Sequence, residues 1–407
     1  MMEKKLLVLI MLLALAPTYV VAQEQVAEKS EEKTVETIPV ASADEKVFLQ
    51  NAVSPIETLA KQAIVMDAQT GAVLYEKNAD AVMPTSSMSK VLTIYLVLDA
   101  IKSGKLKLDQ SVKISEQAWK QPGSRMFLNA GEDVKVEDLI RGVVIQSGND
   151  AAVALAEAVS GSESSFATLM NDKAREFKMI HSHFVNATGL PDPNHYSTAR
   201  DLAVLAQHLI NEHGQYYHYY SETEFTYNNI KQGNRNPLLY RNMGVDGVKT
   251  GHTEDAGYGL IASAVRENRR VITVVNGLSS MQERADEPAK LIEWAYREYG
   301  FFSLLNTTDK VAEAKIWLGN VPSVGLAAGK ELNEVLPRAV KDKIQVVYEV
   351  NPETEAPILK GQQLGKATIS IPDVPPIEVP LVAMEDVKRL SVPKALWYKF
   401  LRLLKKA

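Results

Sequence analysis

The hydrophobic pattern of residues 51–300 predicts strands at both ends of this segment and helices between them. Ala63–Asp67 and Ala72–Tyr75 alternate as a hairpin whose turn is Thr70-Gly71. The remaining predicted elements are helices over Val91–Ile101, Val134–Ile145, Ala151–Val159 and Thr198–Asn211, strands over Val245–Thr250, Tyr258–Val265 and Arg270–Asn276, and a helix over Glu283–Tyr299. This order predicts an α+β domain with one antiparallel sheet and helices on both sides.

From residue 301 to 390 the pattern changes to short runs that alternate apolar and polar side chains. The runs are Lys310–Ile316, Lys343–Val350, Gln363–Ile371 and Pro376–Val382, and prolines and glycines separate them. This punctuated alternation predicts a small all-β domain, a two-sheet sandwich. The segment holds no cluster of catalytic residue types, so we expect it to be a spacer or docking domain.

The last segment, 391–407, has the pattern of an amphipathic helix. At about 100° per residue, its apolar side chains fall in one arc and most of its cations fall opposite. The apolar set is Leu396, Trp397, Phe400, Leu401, Leu403 and Leu404, and the cations are Lys399, Arg402, Lys405 and Lys406. The tail is too short and too charged to span a bilayer, which predicts a helix in the membrane interface. A helix packed on the β-domain is the alternative.

Residues 1–22 have the parts of a signal peptide. Lys4 and Lys5 precede the apolar run Leu6–Leu15, and small residues lead to Ala22, after which we expect cleavage. The apolar run is short for a membrane span, although a retained N-terminal anchor is the alternative. Residues 23–50 are rich in Glu, Lys, Thr and Val without periodicity, which predicts an acidic, flexible linker.

Composition narrows the classes of function. The chain has 407 residues, a net charge of −5 and no cysteine. Its length allows two domains with their own cores, and its mildly negative charge argues against a nucleic-acid partner. The missing cysteines exclude thiolate catalysis, disulfides and cysteine-ligated metals, and suit a secreted bacterial envelope protein that folds without cross-links. His181 and His183 lack an evident third ligand, so we predict no metal site and no cofactor.

Ser87 and Lys90 stand at the start of the most apolar predicted helix. Their i, i+3 spacing places them on one face, and Pro84 followed by Thr85 or Ser86 predicts a capped helix N-terminus. A serine hydroxyl attacks a carbonyl only if a nearby base takes its proton. Lys90 can be that base if burial beside a second cation lowers its pKa.

Two further motifs follow at strand or helix ends. Ser147 and Asn149 flank a glycine after an apolar helix, and Lys249-Thr250-Gly251 ends a strand. Ser147 can relay a proton, Asn149 can orient Lys90, and Lys249 can supply the second positive charge. Taken singly, each motif is also compatible with an ordinary turn or an exposed strand edge.

The ordered set S-x-x-K, S-x-N and K-T-G resembles that of low-molecular-mass penicillin-binding proteins, the serine-type D-alanyl-D-alanine carboxypeptidases. The resemblance covers nearly the whole mature chain. It implies a β-lactamase/transpeptidase-like catalytic domain over 51–300, a β-domain over 301–390 and a membrane-anchoring helix over 391–407. The roles that it implies are nucleophile for Ser87, base for Lys90, second motif for Ser147 and Asn149, third motif for Lys249, Thr250, Gly251 and His252, and carboxylate binding for Arg284.

The resemblance also implies partners and location. The expected substrate is the peptidoglycan pentapeptide stem, from which the terminal D-alanine is removed through an acyl-serine, and β-lactam antibiotics are expected covalent inhibitors. The backbone N–H groups of Ser87 and His252 would form the oxyanion hole. The expected location is the periplasm, at the outer face of the inner membrane, with the C-terminal helix on the membrane surface.

Three alternatives remain at the level of sequence. A D,D-endopeptidase or transpeptidase would use the same fold and nucleophile. A class A β-lactamase would need a Glu-x-x-Leu-Asn stretch between the second and third motifs, and none lies between Asn149 and Lys249. Its second motif would also usually be Ser-Asp-Asn. A non-catalytic envelope scaffold is disfavoured because all three motifs are intact.

Overall fold

The structure is a computed structural model that describes residues 52–372 and 374–404. The predicted signal peptide at 1–22 and linker at 23–50 lie outside the described residues, as do Lys405 and Lys406.

A five-stranded antiparallel sheet forms the centre of the segment 52–298. In chain order its strands are β1 (Gln62–Asp67), β2 (Val73–Lys77), β7 (Val245–Thr253), β8 (Gly257–Arg266) and β9 (Arg269–Leu278). Their spatial order is β2-β1-β9-β8-β7, so β7 is an edge strand. Two small two-stranded antiparallel sheets lie outside it, β3 (Ser111–Lys113) with β4 (Asp133–Lys135) and β5 (Glu224–Tyr227) with β6 (Ile230–Gly233).

Helices occupy the middle of the chain and its far end. They are α1 (Lys90–Lys102), α2 (Glu116–Trp119), α3 (Val136–Gln146), α4 (Asn149–Ser160), α5 (Glu163–Glu176), α6 (Ala199–Glu212), α7 (Met281–Glu298) and α8 (Val392–Leu404). Helix α1 is buried on nearly every side, as its apolar sequence predicts.

The alternation of side chains along the strands gives the sheet two cores. On β1, Ile64 and Met66 face a core shared with α1 and α3–α6, whereas Ala63 and Val65 face a core shared with α7. Both faces of the sheet are therefore covered by helices. The predicted α+β class, an antiparallel sheet with helices on both sides, is confirmed.

Some predicted boundaries were wrong for identifiable reasons. The helix predicted to start at Val134 starts at Val136, because Asp133–Lys135 pairs with Ser111–Lys113 instead. The helix predicted to end at Tyr299 ends at Glu298, since Tyr299 begins a strand. Neither pairing partner is visible in the local pattern.

Residues 299–383 form the predicted small all-β domain. Its strands are β10 (Tyr299–Leu305), β11 (Ala312–Trp317), β12 (Ser323–Ala328), β13 (Leu332–Pro337), β14 (Gln345–Val350), β15 (Thr354–Glu355), β16 (Gln363–Ile371) and β17 (Val374–Ala383). Six form one sheet in the order β14-β16-β17-β12-β11-β15, and β10 pairs with β13. Side chains of both sheets contribute to one core. The domain is therefore a sandwich of two unequal layers, one of six strands and one of two.

Helix α8 leaves its apolar side chains exposed. Leu396, Trp397 and Phe400 are 62%, 59% and 51% exposed, whereas Ala395 is buried. Arg402 donates to Glu353 at 2.7 Å, and its guanidinium lies over the Trp317 ring. Within the described residues, no helix is long and apolar enough to cross a membrane.

Candidate active site

Ser87 and Lys90 meet at the junction between a short 3₁₀ turn and α1. The turn covers Ser86–Ser89 and continues directly into the helix at Lys90. The Ser87 Oγ and Lys90 Nζ atoms are 2.8 Å apart. The predicted side-chain cap was wrong: Thr85 occupies the cap position without capping the turn, and its hydroxyl contacts the Ser89 hydroxyl instead.

The Lys90 amine has three neighbours, and their chemistry assigns its protons. Besides Ser87 Oγ, it donates to Asn149 Oδ1 at 2.7 Å and to the Thr188 carbonyl. The two carbonyl oxygens can only accept hydrogen bonds, so a neutral amine must give them its two N–H groups. Its lone pair then points at the Ser87 hydroxyl, which is the arrangement that a general base requires.

Burial allows the neutral form of the Lys90 amine to be populated near physiological pH. Lys90 is fully buried. Desolvation, followed by the positive charge of Arg235, lowers its pKa from 10.5 to about 7, against the opposing effect of the Asp150 and Glu163 carboxylates. The sequence predicted Lys249 as the second cation. Lys249 is also buried, and burial, followed by the charges of Lys90, Arg235 and Arg284, holds its pKa well below its usual value.

The second motif connects α3 to α4. Ser147 ends α3 in the left-handed conformation, at φ 67°, and Asn149 begins α4. The Asn149 amide donates to the Pro122 carbonyl at 2.6 Å, which fixes the oxygen that it offers to Lys90. The Ser147 Oγ is buried and has no hydrogen-bond partner among the described residues, so its hydroxyl is available to a substrate.

The glycine of the second motif is required by its surroundings. A Cβ on Gly148 would lie 2.9 Å from Asp150 Oδ1 and 3.2 Å from the Gly142 carbonyl oxygen. Asp150 is fixed in place because it accepts the backbone N–H groups of Met126 and Leu128. An aspartate at position 148 would bring a second carboxylate to this site, so the Ser-Asp-Asn form does not fit here.

The third motif runs along the edge strand β7 beside the nucleophile turn. A Cβ on Gly251 would lie 2.9 Å from the Thr85 carbonyl oxygen, so only glycine allows this approach. Ser86 Oγ donates to Thr253 Oγ1 at 3.2 Å, on the other side of His252. Lys249 Nζ donates to the Thr250 carbonyl at 3.1 Å.

The Tyr258 ring connects Arg284 to the third motif. Its guanidinium lies over the Tyr258 ring, which is tilted on the His252 ring with centroids 3.9 Å apart. Burial lowers the pKa of Arg284, and its Nε has no hydrogen-bond partner among the described residues. No carboxylate pairs with Arg284 in the part of the chain that the structure describes.

Arg235 is a site residue that the sequence reasoning missed. Its Nη1 donates to Ser124 Oγ, and its charge lowers the pKa of Lys90, Lys249 and Arg284. Arg235 therefore repels Arg284 and disfavours the protonated forms of Lys90 and Lys249, and an incoming anion would offset that repulsion. The one sequence signal for Arg235 is its position in a polar Asn-Arg-Asn turn, which indicates no chemistry by itself.

The loop around Gly189 was also missed, although it holds Lys90. Asn186 Oδ1 accepts the backbone N–H groups of Thr188 and Gly189, at 3.1 and 2.7 Å. This turn aims the Thr188 carbonyl at Lys90. Gly189 adopts φ +75°, and a Cβ there would lie 1.9 Å from the Ser86 carbonyl oxygen. The Asn-x-x-Gly spacing predicts a turn, but no local pattern predicts what the turn touches.

His195 contacts the nucleophile turn at Ser89. It is buried, and its Nε2 lies 2.7 Å from Ser89 Oγ. Burial lowers its pKa to about 4, so the ring is neutral at physiological pH. Its contacts are those of a structural histidine.

Comparison with known proteins identifies this arrangement. Residues 49–280 match the peptidase S11 family model, described as D-alanyl-D-alanine carboxypeptidase. The chain belongs to the D-alanyl-D-alanine carboxypeptidase family. Residues 299–389 match a second model, the C-terminal domain of penicillin-binding protein 5. The resemblance stated from the motifs is therefore confirmed.

Relatives and solved structures agree with the family assignment. The chain is 37% identical over 355 residues to the D-alanyl-D-alanine carboxypeptidase DacA of Haemophilus influenzae, covering 86% of this chain and 90% of the relative. It is 38% identical to Escherichia coli DacC, covering 81% and 84%. The crystal structure of penicillin binding protein 5 from Haemophilus influenzae superposes with a TM-score of 0.71 at 38% identity, covering 83% of this chain and all of that one.

We predict that Gly189→Ala lowers the free energy of unfolding by more than the left-handed backbone conformation at this position alone would explain. Gly161 is the matched control, because it has φ +80° but nothing within 4 Å of an added Cβ. Gly161→Ala should cost about 1–2 kcal/mol of unfolding free energy. Gly189→Ala should cost at least about 2 kcal/mol more, since it also displaces the Ser86–Ser87 peptide, and should abolish carboxypeptidase activity. Urea unfolding and D-alanine release measure the two effects. Equal losses in both variants would contradict the packing role of Gly189.

Proposed function

We propose that this chain is a serine-type D-alanyl-D-alanine carboxypeptidase that removes the terminal D-alanine from peptidoglycan pentapeptide stems. The observation that carries the proposal is the Lys90 amine, whose two N–H groups are taken by carbonyl oxygens while its remaining position faces Ser87 Oγ at 2.8 Å. Family membership supports the choice of reaction.

The chemistry starts with the neutral Lys90. Ser87 Oγ attacks the carbonyl of the penultimate D-alanine while its proton moves to Lys90 Nζ. The backbone N–H groups of Ser87 and His252 are the proposed donors to the oxyanion. The C–N bond then breaks, and the proton passes from Lys90 through the Ser147 hydroxyl to the departing D-alanine amine. Water attacks the acyl-serine by the reverse proton path, which releases the shortened stem.

The cation cluster supplies the specificity for a free terminal carboxylate. Lys249 and Arg284 have lowered pKa values and no carboxylate partner among the described residues, so a substrate carboxylate would relieve an existing repulsion. We assign the carboxylate to Arg284 with the Thr250 hydroxyl and Lys249. An arginine can bind a carboxylate with two hydrogen bonds, which favours it over lysine in this role.

Related activities on the same fold are less well supported. A D-alanyl-D-alanine endopeptidase of Escherichia coli is 32% identical over 248 residues, but it covers 58% of this chain, against 86% for Haemophilus DacA. Class A β-lactamase chemistry is disfavoured because no Glu-x-x-Leu-Asn stretch lies between Asn149 and Lys249. The contacts of Gly148 also leave little room for the aspartate of a Ser-Asp-Asn motif. β-Lactams would be covalent inhibitors here, as a related penicillin-binding protein of Listeria monocytogenes with 32% identity has been solved in a cefotaxime-bound form.

The proposed location is the periplasmic face of a bacterial inner membrane. The predicted signal peptide directs export, and the exposed apolar side chains of α8 favour insertion into a lipid interface. Trp397 suits the headgroup level, and the cations of the tail suit anionic lipid. The β-domain would then stand between the membrane and the catalytic site.

We predict that the purified protein releases D-alanine from a peptide ending in D-Ala-D-Ala with a free carboxylate. It should act far more slowly on the C-terminally amidated peptide, because the cations then have no anion to bind.

Ser87→Ala should remove activity and covalent labelling by benzylpenicillin, whereas Ser89→Ala, two residues along, should still be labelled. D-Alanine release and intact mass measure these results. Labelling that survives Ser87→Ala would contradict the assignment, and faster cleavage of a cross-linked dimer than of the free stem would favour an endopeptidase.

We also predict that deleting residues 392–407 abolishes membrane binding without changing activity on small peptides. The deletion removes the exposed apolar side chains of α8 but no residue of the catalytic site. Sedimentation with anionic and with uncharged vesicles would compare the chain from Gln23 with and without the tail. The full chain should sediment with anionic vesicles and the truncated chain should stay in the supernatant. Equal sedimentation of the two chains would show that the tail is not the anchor.

A further inference from the structure

The turn that aims the Thr188 carbonyl at Lys90 is itself held on two sides, through the peptide groups of Ala187. On one side, the Thr93 hydroxyl donates to the Ala187 carbonyl at 2.7 Å. On the other side, Glu163 Oε1 accepts the Ala187 N–H at 3.0 Å. Ala187 is buried, so either peptide group would be left without a hydrogen bond if its partner were removed. The position of the Thr188 carbonyl therefore depends on these two side chains.

The two partners of Ala187 come from different helices. Thr93 lies three residues after Lys90 on α1, so one face of that helix presents both the amine and the hydroxyl to the turn. Glu163 is the first residue of α5 and is half-buried. It follows Ser162, whose side chain caps the helix by accepting the Ser165 N–H. Glu163 therefore extends from a capped helix start, where a negative charge is also favoured by the helix dipole.

Glu163 also acts on Lys90 through its charge. Burial, then the charge of Arg235, lowers the pKa of Lys90, and the carboxylates of Asp150 and Glu163 oppose this by raising it. Asp150 is held by several backbone N–H groups of a neighbouring loop, so its charge cannot be removed without disturbing that loop. The Glu163 contact with Ala187 uses one carboxylate oxygen as an acceptor, and a glutamine offers the same acceptor without the charge.

We propose that Glu163 is a positioning residue of the active site: it holds the Ala187 peptide so that the Thr188 carbonyl stays on the Lys90 amine, and its negative charge opposes proton loss from that amine. The proposal rests on the carboxypeptidase function proposed above, with Lys90 as the base. Glu163 takes part in none of the steps of that reaction and acts through the turn. Its hydrogen bond keeps the lone pair of Lys90 directed at Ser87, and its charge sets how much of the amine is neutral at a given pH.

The other charged or titratable groups that act on Lys90 or respond to its charge come from separate elements and stay the same in every variant below. They are Asp150 of α4, His195 of the loop before α6, Arg235 of the segment before β7, and Lys249 of β7. Burial lowers the pKa of His195 to about 4, so its ring is neutral over the range in which Lys90 titrates. A change in the titration of Lys90 on substitution of Glu163 therefore reports Glu163.

Glu163→Gln separates the charge from the hydrogen bond. The second-order rate constant for acylation by benzylpenicillin, measured against pH, reports the ionisation of the free enzyme. In the unmodified protein it should rise with pH through the Lys90 midpoint, because only the neutral amine can take the Ser87 proton. In Glu163→Gln that midpoint should fall by about 0.3–0.5 pH unit, which makes acylation about 2- to 3-fold faster on the acid side and leaves the maximum rate unchanged.

Glu163→Ala removes the acceptor together with the charge. Its maximum rate of acylation should fall at least about tenfold, because the turn no longer holds the Thr188 carbonyl on Lys90. Glutamine at the same position should restore the rate of the unmodified protein. The midpoint in Glu163→Gln decides the question even if the alanine variant does not fold.

Glu157 provides the matched control. It lies on α4, is half-buried like Glu163, and accepts a hydrogen bond from the Ser115 hydroxyl at 3.0 Å, but its charge is not among those that shift the pKa of Lys90. Glu157→Gln and Glu157→Ala should keep the midpoint and the maximum rate of the unmodified protein. An unchanged midpoint in Glu163→Gln, or a maximum rate in Glu163→Ala equal to that in Glu157→Ala, would overturn the role of Glu163. If the unmodified protein were not acylated and released no D-alanine, the proposed function itself would be contradicted.

Discussion

A lysine amine that is buried without a directly bonded carboxylate loses its proton more easily than one in water, and this constraint underlies the whole site. Burial of Lys90 lowers its pKa to about 7, and the nearby Arg235 charge acts in the same direction. The carbonyl oxygens of Asn149 and Thr188 then take the two remaining N–H groups. The same burial that costs solvation energy thus produces a base aimed at Ser87.

The fold brings four distant segments together to create that environment. The nucleophile turn lies at the start of the buried helix α1, and the second motif joins α3 to α4. The Asn186–Gly189 turn supplies the Thr188 carbonyl to Lys90, and the sheet's edge strand β7 runs beside the nucleophile turn. Glycines permit the closest approaches: Gly189 against Ser86, and Gly251 against Thr85. The cations around the site have no carboxylate partners among the described residues, so an anionic substrate would complete the arrangement that we propose.

Local chemistry was predictable from the sequence, whereas contacts between segments were not. The i, i+3 spacing of Ser87 and Lys90 and the alternation of the sheet strands follow from the backbone period, and both are present in the structure. Strand β12 was missed because Ser323–Ala328 is rich in glycine and alanine rather than β-branched residues. The sequence did not reveal Arg235 or the Thr188 carbonyl as parts of the site. A positive charge or a main-chain acceptor can be assigned to the site only from its distance to Lys90.

The central claim is that Lys90 is neutral and can act as a base near physiological pH. NMR titration of protein labelled at the lysine side-chain nitrogen, with the Lys90 signal assigned by its loss in Lys90→Arg, measures this directly. We expect a midpoint at about 7 for Lys90, far below the ordinary lysine value of about 10.4. The unprotonated fraction, and with it the acylation rate, should rise as the pH rises through that midpoint. A Lys90 midpoint near 10 would mean that the amine is charged in the resting enzyme and would contradict its role as the base.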